Sequence, residues 1–272
     1  MTRPGIGVDL TTFALDGRAA VVTGASKNIG AAIAASFAAA GADVLLVART
    51  ADDLRLTAAQ ICAQSPERRV ETLSADILVP ADVDRIASQA LSAFGRVDVL
   101  VNNAFNAGLH EEKDVLCVSD ATWDEVLEAN LRAPIRLTRA LASAMLESDS
   151  EGSIINVISG SGLLPNSAPG HLPAPTMAPY GVSKAALWML TRYLAAELAP
   201  KIRVNALCPG LVSQDGGMRG EEPYARLLGS GAVPMGRIGR PEEMAGAAVY
   251  LASRAASYTT GEMLVCNGGR AW

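Results

Sequence analysis

The run Thr23-Gly24-Ala25-Ser26-Lys27-Asn28-Ile29-Gly30 limits the fold of this chain more than any other feature. It follows Ala19-Ala20-Val21-Val22, an apolar run that reads as a buried strand. It precedes the Ala-rich stretch from Ala31 to Ala40, which reads as a helix. Gly24 permits a tight turn between the two, and Gly30 lets the helix lie close against the strand. The free N–H groups at the helix start then face an anion. Where strand–helix units repeat behind such a turn, the fold is a doubly wound sheet and the anion is the pyrophosphate of a dinucleotide.

The repeat is present. Strand patterns at Ala19–Thr23, Val44–Val47, Val70–Leu73, Val97–Val101, Ser153–Ile158, Arg203–Leu207 and Met263–Val265 alternate with helix patterns near 29–40, 51–63, 81–94, 121–147, 180–199 and 241–252. Strands joined by crossover helices form a parallel sheet covered on both faces. The spacing therefore predicts an α/β fold, a doubly wound, Rossmann-like parallel sheet of about seven strands with helices on both faces. Residues 1–12 read as a tail and 13–272 as a single domain. Two stretches break the pattern. Residues 163–179 carry prolines at 165, 169, 173, 175 and 179, and residues 214–231 carry glycines at 216, 217, 220, 229 and 231. Ligands of a doubly wound sheet lie beyond the carboxyl ends of the strands. Both stretches follow strands, so both are expected to overhang the site. The proline-rich one is stiff and is expected to shape substrate entry without holding the cofactor.

Composition removes several function classes. A net charge of −5 and a pI of about 5.2 argue against nucleic-acid binding. Mean hydropathy is positive because Ala is abundant, while only 4% of the 272 residues are aromatic. The Ala-rich run is interrupted by Ser36, Gly41 and Asp43, too broken to cross a bilayer. Met1-Thr2-Arg3-Pro4-Gly5 has no apolar signal core, so a cytoplasmic location is expected. Cys62, Cys117, Cys208 and Cys266 match no metal or disulfide spacing.

The chemistry is carried by Tyr180-Gly181-Val182-Ser183-Lys184. Tyr and Lys four residues apart share one helix face. A free phenol has a pKa near 10. A neighbouring ammonium and a cationic cofactor ring favour tyrosinate, so the pKa of Tyr180 is expected to fall and the phenol to serve as general acid and base. His110 and His171 are the only histidines. A Ser–His hydrolase would need one of them beside Ser159, together with an acid, and His171 lies in the proline-rich stretch.

The glycine turn and the Tyr–Lys pair together resemble the short-chain dehydrogenase/reductase family in its single-domain branch, from about Phe13 to Gly269. The resemblance implies that Ser159 orients the substrate oxygen (Ser161 is the competing position), that Lys184 tunes Tyr180 and holds the nicotinamide ribose, and that Asn130 anchors a water in a proton relay. It implies a cofactor site made by Gly24, Ser26, Lys27, Asn28, Ile29, Gly30, Arg49, Asp76, Ile77, Asn103, Ala104, Tyr180, Lys184, Pro209, Gly210 and Val212, with Asp76 on the adenine edge. Ala48 stands where NAD enzymes carry an acid, and the cations Lys27 and Arg49 are similar to the NADP type, so NADP(H) is the expected cofactor. Asp52 and Asp53 read as helix N-terminal charges.

Three positions depart from the family pattern. Asn28 replaces the middle glycine of the turn, though Asn tolerates positive φ. Phe105 replaces the glycine of Asn-Asn-Ala-Gly. Gln214, beside Ser213, replaces a Thr that contacts the carboxamide. Phe105, Leu163, Leu164, Met177, Met218, Tyr224 and Leu227 are candidate pocket residues for an apolar or mixed small-molecule substrate. The run Ala185-Ala186-Leu187-Trp188-Met189-Leu190 is apolar nearly all round. Its outer face is expected to meet another subunit or the chain's own loops, and the resemblance implies a dimer or a homotetramer. The leading expectation is interconversion of a carbonyl and a secondary alcohol. C=C or imine reduction on the same fold and a non-catalytic dinucleotide sensor are the alternatives. No metal, membrane or nucleic-acid partner is expected.

Overall fold

The computed structural model describes residues 9–108, 112, 114–148, 150–165, 176–213 and 225–270. Seven parallel strands form one sheet: β1 (Ala19–Thr23), β2 (Asp43–Ala48), β3 (Val70–Ser74), β4 (Val99–Asn102), β5 (Gly152–Val157), β6 (Ile202–Pro209) and β7 (Met263–Cys266). Their order is β3-β2-β1-β4-β5-β6-β7, so the winding reverses between β1 and β4. Val21 is flanked in register by Leu45 of β2 and Leu100 of β4. Every residue of β1, β4, β5 and β6 is buried. The central strands are accordingly mostly apolar, and the polar side chains they carry, among them Ser153, Asn156, Arg203 and Asn205, are buried and hydrogen-bonded.

Helices cover both faces. On one, Ile33 and Phe37 of α1 (Asn28–Ala39) and Met244 and Leu251 of α8 (Glu242–Ala252) pack with Val22, Leu46, Val101 and Ile155. On the other, Ile86 of α3 (Pro80–Phe94) and Leu137 and Leu141 of α5 (Ala133–Glu147) pack with Val21, Leu45, Leu100 and Ile154. Each such side chain contributes roughly 1.5–3 kcal/mol by burial. The remaining helices are α2 (Ala51–Gln64), α4 (Asp120–Leu127), α6 (Ala178–Leu198) and the short α7 (Ala225–Gly229). Among the described residues no helix is long and apolar enough to cross a membrane.

All seven predicted strands are present, with ends shifted by no more than two residues. The helix predicted over 121–147 is instead three pieces: α4, a π-turn at Glu128–Arg132, and α5. The physical reason lies in Pro134. A regular helix would need its N–H to bond the carbonyl of Asn130, and proline has none. Periodicity does not register that break. The tail reading of residues 1–12 also changes at its end. Asp9 caps a 3-10 turn at Leu10–Phe13, its Oδ1 accepting the N–H of Thr11 at 2.9 Å, and Phe13 packs near the Tyr250 ring. Helix α7 falls in the stretch expected to be irregular; residues 214–224 and 166–175 lie outside the described set.

Asp98 anchors the base of the sheet at the switch point. Its buried carboxylate accepts the N–H of Ala19 at 2.9 Å, the Nε and Nη2 groups of Arg96, and the Ser150 hydroxyl. Asp98→Ala leaves the Ala19 N–H unpaired at the start of β1, so stability should fall by about 1–3 kcal/mol. Urea unfolding should show a lower midpoint with an unchanged m-value; an unmoved midpoint would contradict this role.

Candidate active site

Sequence forces the glycine turn to be tight. Gly24 has φ of +65°, and a Cβ there would lie 2.8 Å from Asn103 Nδ2. A Cβ on Gly30 would lie 2.2 Å from the Gly24 carbonyl oxygen, so only glycine fits. Asn28 takes φ of 54°, the positive value anticipated for it. Above the turn, the end of β4 is knotted to β1. The Thr23 hydroxyl accepts the N–H groups of Asn103 and Ala104 at 3.0 and 3.1 Å, and Asn103 Nδ2 donates to the Thr23 carbonyl at 2.8 Å.

This knot opens onto a cleft of about 620 Å³ along the carboxyl ends of the strands. All sixteen residues named from the sequence as cofactor contacts line it, from Gly24 and Ser26 at one end to Pro209, Gly210 and Val212 at the other. At the end of β2 no acid follows the strand. Ala48, Arg49 and Thr50 line the cleft there, with Lys27 from the turn, and both cations are solvent-exposed. Asp53, one turn into α2, also lines the cleft, whereas Asp52 pairs with Arg55. Asp76 caps its own turn, its Oδ1 accepting the Leu78 N–H at 3.0 Å, and still lines the cleft.

Ser159, Tyr180 and Lys184 converge at the other end. Ser159 follows β5 and caps a 3-10 turn at Gly160–Gly162, its Oγ accepting the Ser161 N–H at 3.2 Å. Ser159 is hydrogen-bonded to the Tyr180 phenol. That turn rests directly on α6: a Cβ on Gly162 would lie 2.7 Å from the Ala185 nitrogen, and one on Gly181 would lie 2.7 Å from the Ser161 carbonyl oxygen. The two glycines, which motif reading passed over, thereby bring Ser159 and Tyr180 together. The small residue next to Tyr180 was their only signal in the sequence.

Lys184 is 2% exposed. Its Nζ donates to the Val157 carbonyl at 2.8 Å, and it lies 5.7 Å from the centroid of the Tyr180 ring and 5.6 Å from that of Phe105. Burial pushes the Lys184 ammonium down from 10.5 to about 7. Burial also pushes the Tyr180 phenol up to about 12; the Ser159 hydrogen bond opposes this and the neighbouring Cys208 adds to it. The expected fall of the Tyr180 pKa is therefore reversed in the protein alone. Desolvation of the phenol outweighs the help it receives, and the ammonium is bonded to a carbonyl.

Asn130 is fully buried in the π-turn and does not line the cleft. Its amide clamps the backbone of Asn106: Oδ1 accepts the Asn106 N–H and Nδ2 donates to the Asn106 carbonyl, both at 2.8 Å. Nδ2 also donates to Ser183 Oγ at 2.9 Å, and Ser183 Oγ donates to the Tyr180 carbonyl at 2.7 Å. Its side chain thus ties the β4 loop to the helix of Tyr180.

Leu163 and Leu164 are about one-third exposed and Met177 is partly exposed. Met218, Tyr224, Gln214, His110, His171 and the Leu227 side chain lie outside the described residues. Ser213 is buried, and its N–H donates to the Gly239 carbonyl at 2.9 Å. Val182, Met189 and Tyr193, on one stripe of α6, are exposed, so the chain's own described residues do not cover that face. No cluster of three or more His, Cys, Asp or Glu suited to a metal occurs among the described residues.

Known proteins resemble this chain over nearly its whole length. Residues 24–271 match the family model described as enoyl-(acyl carrier protein) reductase. A galactitol 2-dehydrogenase (L-tagatose-forming) of Cereibacter sphaeroides is 40% identical, over 95% of this chain and 97% of that protein. Among solved structures, a 7α-hydroxysteroid dehydrogenase in complex with NADH and 7-oxo glycochenodeoxycholic acid is 29% identical at a TM-score of 0.84, covering 97% of this chain and 98% of that one. An NADPH-dependent 3-quinuclidinone reductase from Rhodotorula rubra is 26% identical at a TM-score of 0.86, covering 100% and 98%.

The buried ammonium gives a signed pH dependence. Lys184 titrates near 7 when folded, against 10.5 as its ordinary value. Between those values the unfolded chain binds more protons, so stability rises with pH. The raised Tyr180 value acts only above its ordinary 10.0. The raised Cys208 and Cys266 thiols act above their ordinary 9.0, so urea unfolding of the protein without cofactor should show stability climbing from pH 7 to pH 9, and a smaller climb in Lys184→Met. Equal slopes in the two proteins would contradict the assignment.

Proposed function

The chain belongs to the short-chain dehydrogenase/reductase family, and on that premise we propose that it is an NADP(H)-dependent oxidoreductase interconverting a carbonyl and a secondary alcohol. The observation that carries this reading is the convergence of Ser159, Tyr180 and Lys184 at one end of a cleft whose other end is a glycine turn. The residues present fit a nicotinamide dinucleotide. Gly24 and Gly30 form a cradle that a Cβ would fill, and the start of α1 supplies N–H groups and dipole for a pyrophosphate. Lys27 and Arg49 supply cations for a 2′-phosphate, with Ala48 in place of an acid. Bound there, the cofactor supplies or takes the hydride.

The chain's own groups handle the oxygen and its proton. In reduction, Ser159 orients the carbonyl oxygen and Tyr180 donates its phenolic proton to it; in oxidation Tyr180 takes the proton back. A phenol pushed up to about 12 keeps its proton at neutral pH, the form that reduction requires. Lys184 lowers the cost of the phenolate that forms and offers donors toward a ribose. Asn130 holds the site's back wall through Asn106 and Ser183. The exposed α6 stripe supports a homodimer or homotetramer, and we read 13–272 as one cytoplasmic domain. A second reading, reduction of an activated C=C bond, is favoured by the description of the matching family model. NADPH oxidation with a saturated ketone beside the matching enone separates the two. A dinucleotide sensor would bind NADPH and turn over neither.

Arg49→Ala should weaken NADP binding about 10- to 100-fold, the range of a charge-assisted hydrogen bond, while NAD binding barely moves. Titration calorimetry measures both, and equal affinities of the parent for NAD and NADP would defeat the cofactor assignment. Tyr180→Phe should keep cofactor affinity and lose roughly 10²–10⁴-fold in kcat. A Phe variant within threefold of the parent would remove Tyr180 from the chemistry.

A further inference from the structure

Phe105 is 51% exposed, yet its position is rigidly determined. Before it, the N–H groups of Asn103 and Ala104 donate to the Thr23 hydroxyl. After it, the Asn106 backbone is clamped on both sides by the Asn130 amide, while Asn106 Nδ2 donates to Glu125 Oε1 at 2.8 Å. The ring so held faces the reacting centre. Its centroid is 5.9 Å from that of Tyr180, the two planes tilted by 57°, and the Lys184 ammonium lies 5.6 Å from it. The second contact is cation–π attraction. Together the Tyr180 and Lys184 contacts lie on the covered part of the ring, and about half of Phe105 stays open.

A large apolar side chain fixed in place, half-exposed, at the end of a cleft is what a ligand covers. The surroundings state the ligand's chemistry. Ala107, Ala129 and Ile158 line the same cleft, and Leu163 and Leu164, a few residues beyond Ser159, are partly exposed as well. Among the described residues of the cleft the cations are Lys27, Arg49 and Lys184. The first two belong to the glycine-turn end and the third is buried. Glu125 adds a carboxylate near Phe105. Nothing described at this end attracts a carboxylate or phosphate on the substrate.

We infer that Phe105 is the specificity-determining residue of the site, and that the carbonyl compound accepted there carries a flat apolar substituent, an aromatic or alicyclic ring, that lies against the Phe105 ring. Tyr180 and Ser159 hold the carbonyl oxygen, and the Phe105 ring touches the Tyr180 ring. A group one bond from the carbonyl carbon therefore falls beside Phe105. The inference rests on the carbonyl-reductase reading above.

The test compares acetophenone, cyclohexanone and dihydroxyacetone as substrates with NADPH, for the parent, Phe105→Ala and Phe105→Leu. The parent should favour acetophenone and cyclohexanone over dihydroxyacetone by at least about tenfold in kcat/KM. Phe105→Ala should reduce that preference about tenfold or more, chiefly through KM, and Phe105→Leu should reduce it less. Taking the ratio cancels any common effect on proton transfer through Lys184. NADPH affinity within threefold of the parent shows that the variants are folded. A parent that prefers dihydroxyacetone, or variants that slow all three substrates equally, overturns the inference and leaves the carbonyl-reductase reading standing. No turnover of any of the three by a parent that binds NADPH overturns both.

Discussion

The close approach of β4's end to the glycine turn after β1 is the constraint on which the rest of the site depends. Thr23 accepts two backbone N–H groups from the far strand and donates its own hydroxyl proton to the Val101 carbonyl at 3.1 Å, so its side chain is fully engaged. Asn103 answers by donating to the carbonyls of Thr23 and Gly24. Because those atoms sit where a Cβ on Gly24 or Gly30 would be, the knot tolerates glycine alone at both positions. The knot is polar and buried, which is costly unless every group is paired. Once paired, it holds the switch point of the sheet in one arrangement.

From that knot the constraint passes outward. The chain leaving Ala104 has little choice of path, since two residues later Asn106 is gripped by Asn130. Asn130 in turn sits in the π-turn that Pro134 imposes and reaches Ser183 on α6. On the other side of Tyr180, Gly162 and Gly181 bring the Ser159 turn onto the same helix. Two loops from two strands thus close on one helix, and the phenol and the ammonium lie between them. Desolvation by the packed neighbourhood explains why each titrates away from its charged form, although the phenol still borders the cleft, and the ammonium's described hydrogen bond goes to a backbone carbonyl.

Much of this was legible in the chain. The alternation of strand and helix patterns predicted a seven-stranded doubly wound sheet, because a strand buried on both faces is mostly apolar and its crossover must be long enough for a helix. The glycine turn, Arg49 beside Ala48, and the Tyr180–Lys184 spacing are local in sequence. Their meaning depends on helix geometry and on the reach of a few residues, so reading them needs no tertiary information.

Four things needed the tertiary structure. The helix predicted over 121–147 was a period argument, and a period does not register a single missing donor at Pro134. The Tyr180 pKa was reasoned from its neighbour in sequence, but desolvation is set by everything packed round the phenol, including Cys208 from a strand 28 residues further on. The partners of the Asn130 amide, a backbone 24 residues away and Ser183 on α6, were set by packing and left no trace in the sequence around it. Phe105 read as a departure in a loop and became a ring against Tyr180 and Lys184, 75 and 79 residues distant. The sequence by itself determined which backbone could form and which chemistry-bearing groups it carries, since propensity, glycine freedom and helical spacing act over a few residues. Which groups face each other across the cleft, and how far water is kept from them, was decided only when distant segments packed, because contact and dielectric are properties of the assembled neighbourhood.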